Sequence, residues 1–150
     1  MLKKKVIISA CLLGEMCRYD GKTKQDDELL KKFNRCEIIP FCPEAPVFGT
    51  PRERINVVEI DSSKKIFTDK TLKDVTKLLE EEINSFIDKN QDIDMIVLKS
   101  KSPSCGIGTT PIYDKDKNTI RYGDGIAASI FKNRYQKVPM VDEKRVFNYN

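Results

Sequence analysis

The chain contains no histidine. That absence removes Ser-His and Cys-His nucleophile pairs, imidazole acid–base catalysis and every metal site built on imidazole. Acid–base work is left to Asp, Glu, Ser, Tyr, Lys, Cys or water, and metal ligation to cysteine or carboxylate. There is no CxxC pair either, so the usual structural-zinc and ferredoxin spacings are missing. No apolar run approaches the ~18 residues of a membrane span. Residues 6–10, between Lys3–Lys5 and Cys11, fall short of the ~7–15 residues of an export-signal core. Excess charge of one sign is also small: 27 basic residues face 23 acidic ones, for a net +4. The two signs are interleaved, so no DNA partner is expected, although a modest attraction for an anionic small molecule fits.

What is present describes an ordinary globular chain. Apolar residues make up 39% and charged residues 33% of 150, enough for one compact domain over 1–150. Five cysteines is an odd number, which rules out a fully paired disulfide framework within one chain. The expected setting is the cytoplasm, where thiols stay reduced and available for metal or chemistry.

Hydrophobic patterning gives a coarse map. Residues 6–9 read as a buried strand. Asp26 or Asp27 is placed to cap a short helix with Leu29, Leu30 and Phe33 inside. Residues 37–41 read as a second strand, which Pro40 confines to an edge. The stretch 43–51, with its prolines and Gly49, reads as an irregular loop. Residues 57–60 and 65–67 are short extended pieces around a turn. Leu72, Val75, Leu79, Ile83 and Phe86 recur at helical spacing and predict a helix over 70–89, with Thr71 and Asp74 starting a capping box. Residues 94–98 are apolar and rich in β-branched side chains, as a central strand requires. A Ser-, Pro- and Gly-rich loop follows over 99–108. Residues 112–113 and 119–121 suggest a hairpin, 125–133 a last helix and 138–141 a last strand. The alternation predicts a single α/β domain: a mainly parallel, Rossmann-like sheet, flanking helices and a small hairpin excursion.

In such sheets, ligands bind outside the carboxyl ends of the strands. Cys11 follows the first predicted strand, Cys42 the second, and Cys105 lies in the loop after 94–98. If those strands are parallel neighbours, three thiols meet at one sheet edge. Gly106 and Gly108 are expected to turn backbone N–H groups toward sulfur there. Polar residues gather in the same loops: Arg18 and Asp20, Glu44 and Arg52, Ser102 and Ser104. Cys36, at a helix–strand junction, reads as structural. The residues alone leave several readings open. Free cysteines often simply pack. The trio also suits a metal or cluster site, whether catalytic, sensing or sulfur-binding. A metal-free thiol enzyme could instead use Cys11, or Cys17 beside the cation of Arg18.

The motifs Ser9-Ala10-Cys11-Leu12-Leu13-Gly14 with Arg18-Tyr19-Asp20-Gly21, Cys42-Pro43-Glu44 with Pro51-Arg52, and Leu98-Lys99 with Ser102-Pro103-Ser104-Cys105-Gly106 resemble the thiouracil desulfurase family. Gly123-Asp124-Gly125-Ile126 is similar to that family's helix entry, and the likeness runs in order over nearly the whole chain. The resemblance implies a [4Fe–4S] cluster held by Cys11, Cys42 and Cys105, with the fourth iron open to a thiocarbonyl sulfur. It implies non-redox conversion of a thiolated pyrimidine, as base, nucleoside or nucleotide, to its oxo form with release of sulfide. Iron in a sulfide cluster is a soft Lewis acid matched to a C=S bond. With no histidine, Glu44 is the first choice for the proton shuttle, and the resemblance points the same way. Ser102 and Ser104 would orient substrate or relay a proton, and Arg18, Asp20 and Arg52 would shape the pocket. Two loops depart from the family pattern: residues 45–50 carry less glycine, and Lys115 stands where glycine is usual.

Overall fold

A computed structural model describes residues 3–15, 19–20 and 24–148. The apolar runs that pattern as strands build a four-stranded, all-parallel sheet. Its strands are β1 (Lys5–Ser9), β2 (Glu37–Phe41), β5 (Met95–Leu98) and β8 (Met140–Asp142), in the order β2-β1-β5-β8. The strands at its centre are apolar on both faces because helices cover both. On one face, Ile7, Ile96 and Leu98 pack with α3 (Thr76–Lys89) and α4 (Ile126–Arg134). On the other, Val6, Ile8 and Val97 meet Leu29 of α1 (Asp27–Lys32), with Phe33 and Val146. Pro40 pairs with Ile8 on the edge strand β2, where its missing N–H interrupts no second ladder.

Asp26 is the cap of α1, its carboxylate accepting the Leu29 N–H at 3.1 Å. In α3, Leu79, Ile83 and Ile87 repeat at intervals of four and are fully buried. Phe41, Phe86, Phe131 and Tyr135 join sheet and helices in a ring cluster, with centroids of successive pairs 4.7 to 6.3 Å apart. Such contacts add to area burial because ring edges and faces carry opposite partial charge.

The hairpin pieces are more than an excursion. β3 (Ile55–Ile60) and β4 (Ser63–Thr68) pair antiparallel across Asp61 and Ser62, both in the left-handed region. β6 (Thr110–Tyr113) and β7 (Thr119–Gly123) form a second hairpin. A parallel β3–β6 pairing fuses the two into one mixed sheet of order β4-β3-β6-β7. Ile55, Val57, Ile66 and Ile112 of this sheet belong to the same apolar core as α3 and α4.

Two predicted elements differ. The helix expected over 70–89 begins at Thr76, because the backbone before it is committed elsewhere. The Lys70 and Thr71 N–H groups donate to Glu53, Thr68 N–H donates to the Lys73 carbonyl, and Val75 N–H donates to the Ile66 carbonyl. Asp74 then caps through Thr76, accepting its N–H at 3.0 Å and its hydroxyl at 2.6 Å. Leu72 consequently lies off the apolar stripe, at φ 53° and 63% exposed. The predicted irregular loop over 43–51 contains a short helix, α2 (Glu44–Phe48). Pro46 is tolerated in its first turn, where its N–H would have no intrahelical acceptor, and Gly49 ends it at φ 83°.

Candidate active site

The order β2-β1-β5 settles where the thiols go. The three strands are parallel neighbours, so their carboxyl ends share one edge. Cys11 sits there in a 3-10 turn, Ala10–Leu13, that leaves β1. Cys42 follows β2 directly, and Cys105 lies in the loop after β5. All three line one cleft of about 570 Å³. They are close enough that Cys42 and Cys11 each disfavour charge on Cys105. Burial is the larger effect and pushes the Cys105 thiol far above the ordinary cysteine range, with Ser9 opposing it through a hydrogen bond. A thiol of this kind becomes a thiolate when a metal centre replaces its proton. Cys36 precedes β2, at the opposite end of that strand from Cys42, and packs beside Leu29 and Phe33.

Three thiols and no imidazole form a soft donor set suited to an iron–sulfur cluster. Among the described residues, no three Cys, Asp or Glu side chains converge on a single-ion position. A cluster has no such requirement, because each thiolate binds a different iron and the sulfurs stand apart.

The sulfur-directed N–H comes from an unexpected residue. Gly106 N–H donates to the Ser102 carbonyl at 2.9 Å and Gly108 N–H to Asp124 at 2.8 Å, so both expected glycine donors are used within the protein. Instead, Ala45 N–H points to Cys42 Sγ at 3.5 Å.

Glu44 opens α2 and is 8% exposed. Its Oε2 accepts the Ser104 hydroxyl at 2.8 Å, while Oε1 faces Arg52 Nε and Nη2, each at 3.4 Å. Arg52 is in turn fixed by the Gly49 carbonyl and the Thr50 hydroxyl at 3.1 and 3.2 Å. A buried carboxylate is thus oriented from both sides and still lines the cleft. Ser104, fully buried, acts on Glu44 rather than on the cleft. Ser102 lines the cleft and shapes the cysteine loop, its hydroxyl oxygen accepting the N–H groups of Ser104 and Cys105 at 3.2 and 3.0 Å.

The remaining predicted site residues divide. Asp20 is exposed and is not part of the cleft wall. Arg18 and Cys17 lie outside the described residues. The cleft wall adds cations that the sequence reading missed: Lys24, Arg54, Lys99, Lys101 and Lys144. Arg54 lies over the Tyr19 ring at 4.7 Å and donates to its hydroxyl at 2.6 Å, a cation–π pair on the cleft wall. The run Arg52-Glu53-Arg54 beyond the second cysteine loop was the available signal. Glu44 is the one carboxylate among the described lining residues, so the cleft favours anions.

This chain resembles known proteins in both sequence and fold. The uncharacterized protein YbbK of Bacillus subtilis (strain 168) is 29% identical over 143 residues, covering 89% of this chain and 93% of that protein. The solved structure of the [4Fe-4S]-dependent thiouracil desulfidase TudS superposes with a TM-score of 0.74 at 28% identity, over 97% of this chain and 95% of that one. The 2-thiouracil desulfurase family model matches residues 6–143, and the chain belongs to that family.

Proposed function

We propose that this chain is a [4Fe–4S]-dependent desulfurase that converts a thiolated pyrimidine and water to the oxo pyrimidine and hydrogen sulfide. The exchange is non-redox: a C=S bond is replaced by C=O, and water supplies the oxygen and two protons. The observation that carries this reading is the meeting of Cys11, Cys42 and Cys105 with the oriented carboxylate of Glu44 at one sheet edge.

Cys11, Cys42 and Cys105 would hold the cluster. When bound, it supplies a soft Lewis acid that polarises the thiocarbonyl toward attack. The protein supplies the proton path. Glu44 takes a proton from the attacking water and returns it to the departing sulfur or the ring nitrogen. Ser104 and Arg52 hold its carboxylate toward the cleft. Ser102 keeps the Cys105 loop in shape. The cationic wall favours substrates that carry negative charge, so a thiolated nucleotide fits it better than the neutral base. A passive metal sensor has no use for a buried carboxylate held in register with the thiols. A cytoplasmic setting belongs to the same proposal, since the ligands must remain reduced.

The test is iron and acid-labile sulfide per chain, with an absorbance spectrum, after anaerobic reconstitution, followed by sulfide release from 2- and 4-thiouracil and their nucleotides. About four iron and four sulfide per chain are expected, with release from at least one thiolated substrate. Folded protein that takes up neither would overturn the reading in favour of a metal-free thiol enzyme. A loaded cluster without release from any thiolated pyrimidine would leave a binding or sensing protein.

A further inference from the structure

Asn56 interrupts the apolar run of β3, between the buried side chains of Ile55 and Val57. Amides are depleted inside strands, where they give up apolar packing. All three residues line the cleft that holds the thiols. The Asn56 Nδ2 group donates to Asp69 Oδ1 at 2.8 Å. Asp69 is itself set from several sides. Its N–H donates to the Arg54 carbonyl at 2.8 Å, and the Lys117 ammonium reaches its carboxylate at 3.2 Å and its backbone carbonyl at 2.8 Å. The Asn56 hydrogen bond, and after it Lys117, hold the Asp69 carboxyl below the ordinary carboxylate range. An ionised carboxylate only accepts, so it must face the NH2 end of the amide. That fixes which way Asn56 is turned and leaves Oδ1 at the other end. Among the described residues nothing donates to this oxygen, and it is not buried. Asp69 is not part of the cleft wall and Asn56 is, so Oδ1 is the acceptor left for a ligand in the cleft.

We propose that Asn56 is a specificity-determining residue whose Oδ1 accepts the ring N3–H of a thiolated uracil. This rests on the desulfurase reading above. In 2- and 4-thiouracil alike, N3–H stands between the thiocarbonyl and the remaining carbonyl. Asp69 takes one amide hydrogen of Asn56, and the second suits that remaining carbonyl. A cytosine-type thione has a lone pair at N3, which meets the lone pairs of Oδ1 unfavourably. A site built to hydrogen-bond a substrate N–H rejects an analogue without it, because the acceptor is then left unpaired. The cationic wall attracts by charge and does not tell one base from another. Asn56 supplies that distinction, and the anchor behind it keeps the amide from turning to suit the wrong base.

The experiment uses the reconstituted full chain and the variants Asn56→Leu and Asn56→Ala. Iron and acid-labile sulfide per chain establish loading. Sulfide release then gives kcat/KM for the thiouracil turned over fastest and for its N3-methyl derivative. Inhibition of that release by uracil and by 3-methyluracil makes the same comparison for binding alone. Wild type is expected to favour the N–H compound by roughly tenfold in both readouts, the worth of one neutral hydrogen bond. Asn56→Leu keeps the bulk but cannot accept, so kcat/KM for the parent thiouracil should fall roughly tenfold and the preference should shrink to about twofold. Steric exclusion of the methyl group would survive in Asn56→Leu, so a loaded Asn56→Leu with the wild-type preference overturns the proposal. If Asn56→Leu fails to fold or load, Asn56→Ala decides. Unchanged kcat/KM on the parent thiouracil overturns the proposal, and a roughly tenfold loss that the N3-methyl compound does not share supports it. Loaded wild-type protein that releases sulfide from no thiolated pyrimidine overturns the desulfurase reading instead.

Discussion

The Ser104 hydroxyl donates to Glu44 Oε2 at 2.8 Å across 60 residues of sequence, tying the Cys105 loop to the first turn of α2. Both partners are buried, and Arg52 holds the other carboxylate oxygen. The loop that carries one thiol and the helix that follows another are therefore joined through the proposed proton carrier itself. Glu44→Gln keeps the shape and can still accept from Ser104, but it cannot take a proton from water. Turnover should fall by roughly 10²–10⁴-fold, the usual contribution of a general base, with iron content unchanged. Sulfide release per cluster is the measurement. Wild-type turnover in a loaded Glu44→Gln would remove Glu44 from the mechanism.

Ser104→Ala separates orientation from proton transfer. The carboxylate remains but loses a hydrogen bond worth about 1.5–3 kcal/mol to a charged group. If that bond is fully used in the transition state, kcat falls by roughly one to two orders of magnitude. KM should change little, because Ser104 does not line the cleft. A change confined to KM would place Ser104 in substrate binding instead.

The described cysteines divide cleanly by position. Cys11→Ser, Cys42→Ser and Cys105→Ser should each sharply lower iron and acid-labile sulfide, since each removes a thiolate from the shared cleft. Cys36→Ser should load normally, because Cys36 lies at the far end of β2. Iron lost in Cys36→Ser and kept in Cys42→Ser would reverse the ligand assignment.

That division was legible from the place of each cysteine after a predicted strand and little else. The runs 6–9, 37–41 and 94–98 are apolar enough to mark strands, and the rule that ligands sit beyond carboxyl ends gathers the three thiols only once the strands are parallel neighbours, which the order β2-β1-β5 supplies. Side-chain partnerships were less legible. Nothing in the spacing of Ser104 says that its hydroxyl serves a carboxylate, because that depends on a loop folding back across the sheet. The early start predicted for α3 failed for a related reason. Helical spacing from Leu72 onward is local, whereas Glu53, Thr68 and Ile66 claim the backbone before Thr76 from elsewhere in the fold.

Gly125 links α4 to the same loop. A Cβ there would stand 2.6 Å from the backbone carbon and oxygen of Ser104 and 2.7 Å from the Pro103 carbonyl oxygen. These are main-chain atoms that already accept the N–H groups of Ala127 and Ile126, so they cannot give way cheaply. Gly125→Ala should destabilise the fold by about 1–3 kcal/mol, as overpacking does, and should reduce cluster occupancy through displacement of Cys105. Urea unfolding and iron content test both effects. Full stability with full loading would show that the helix entry tolerates a side chain.

Glu143 gives the site's surroundings an acid limit. Its Oε1 accepts the Ser100 N–H at 2.7 Å, and its Oε2 accepts the Ser100 hydroxyl at 2.9 Å and the Lys99 ammonium at 3.0 Å. Burial pushes its carboxyl up, but the Ser100 N–H, the Lys99 hydrogen bond and charge, and the Ser100 hydroxyl together outweigh that and hold it below the ordinary 4.5. The folded state thus binds this proton less readily than the unfolded chain. The stabilisation is complete above pH 4.5 and is lost as pH falls through the lower, folded value. Glu143→Gln should cost about 1–3 kcal/mol at neutral pH, the range for hydrogen bonds to a charged group. The gap between wild type and variant should stay constant down to about pH 5 and close on further acidification. Urea unfolding of both proteins across that range measures it. A gap that widened below pH 4.5 would mean that the folded carboxyl takes up its proton more readily than the unfolded one, and that burial outweighs the Ser100 and Lys99 contacts.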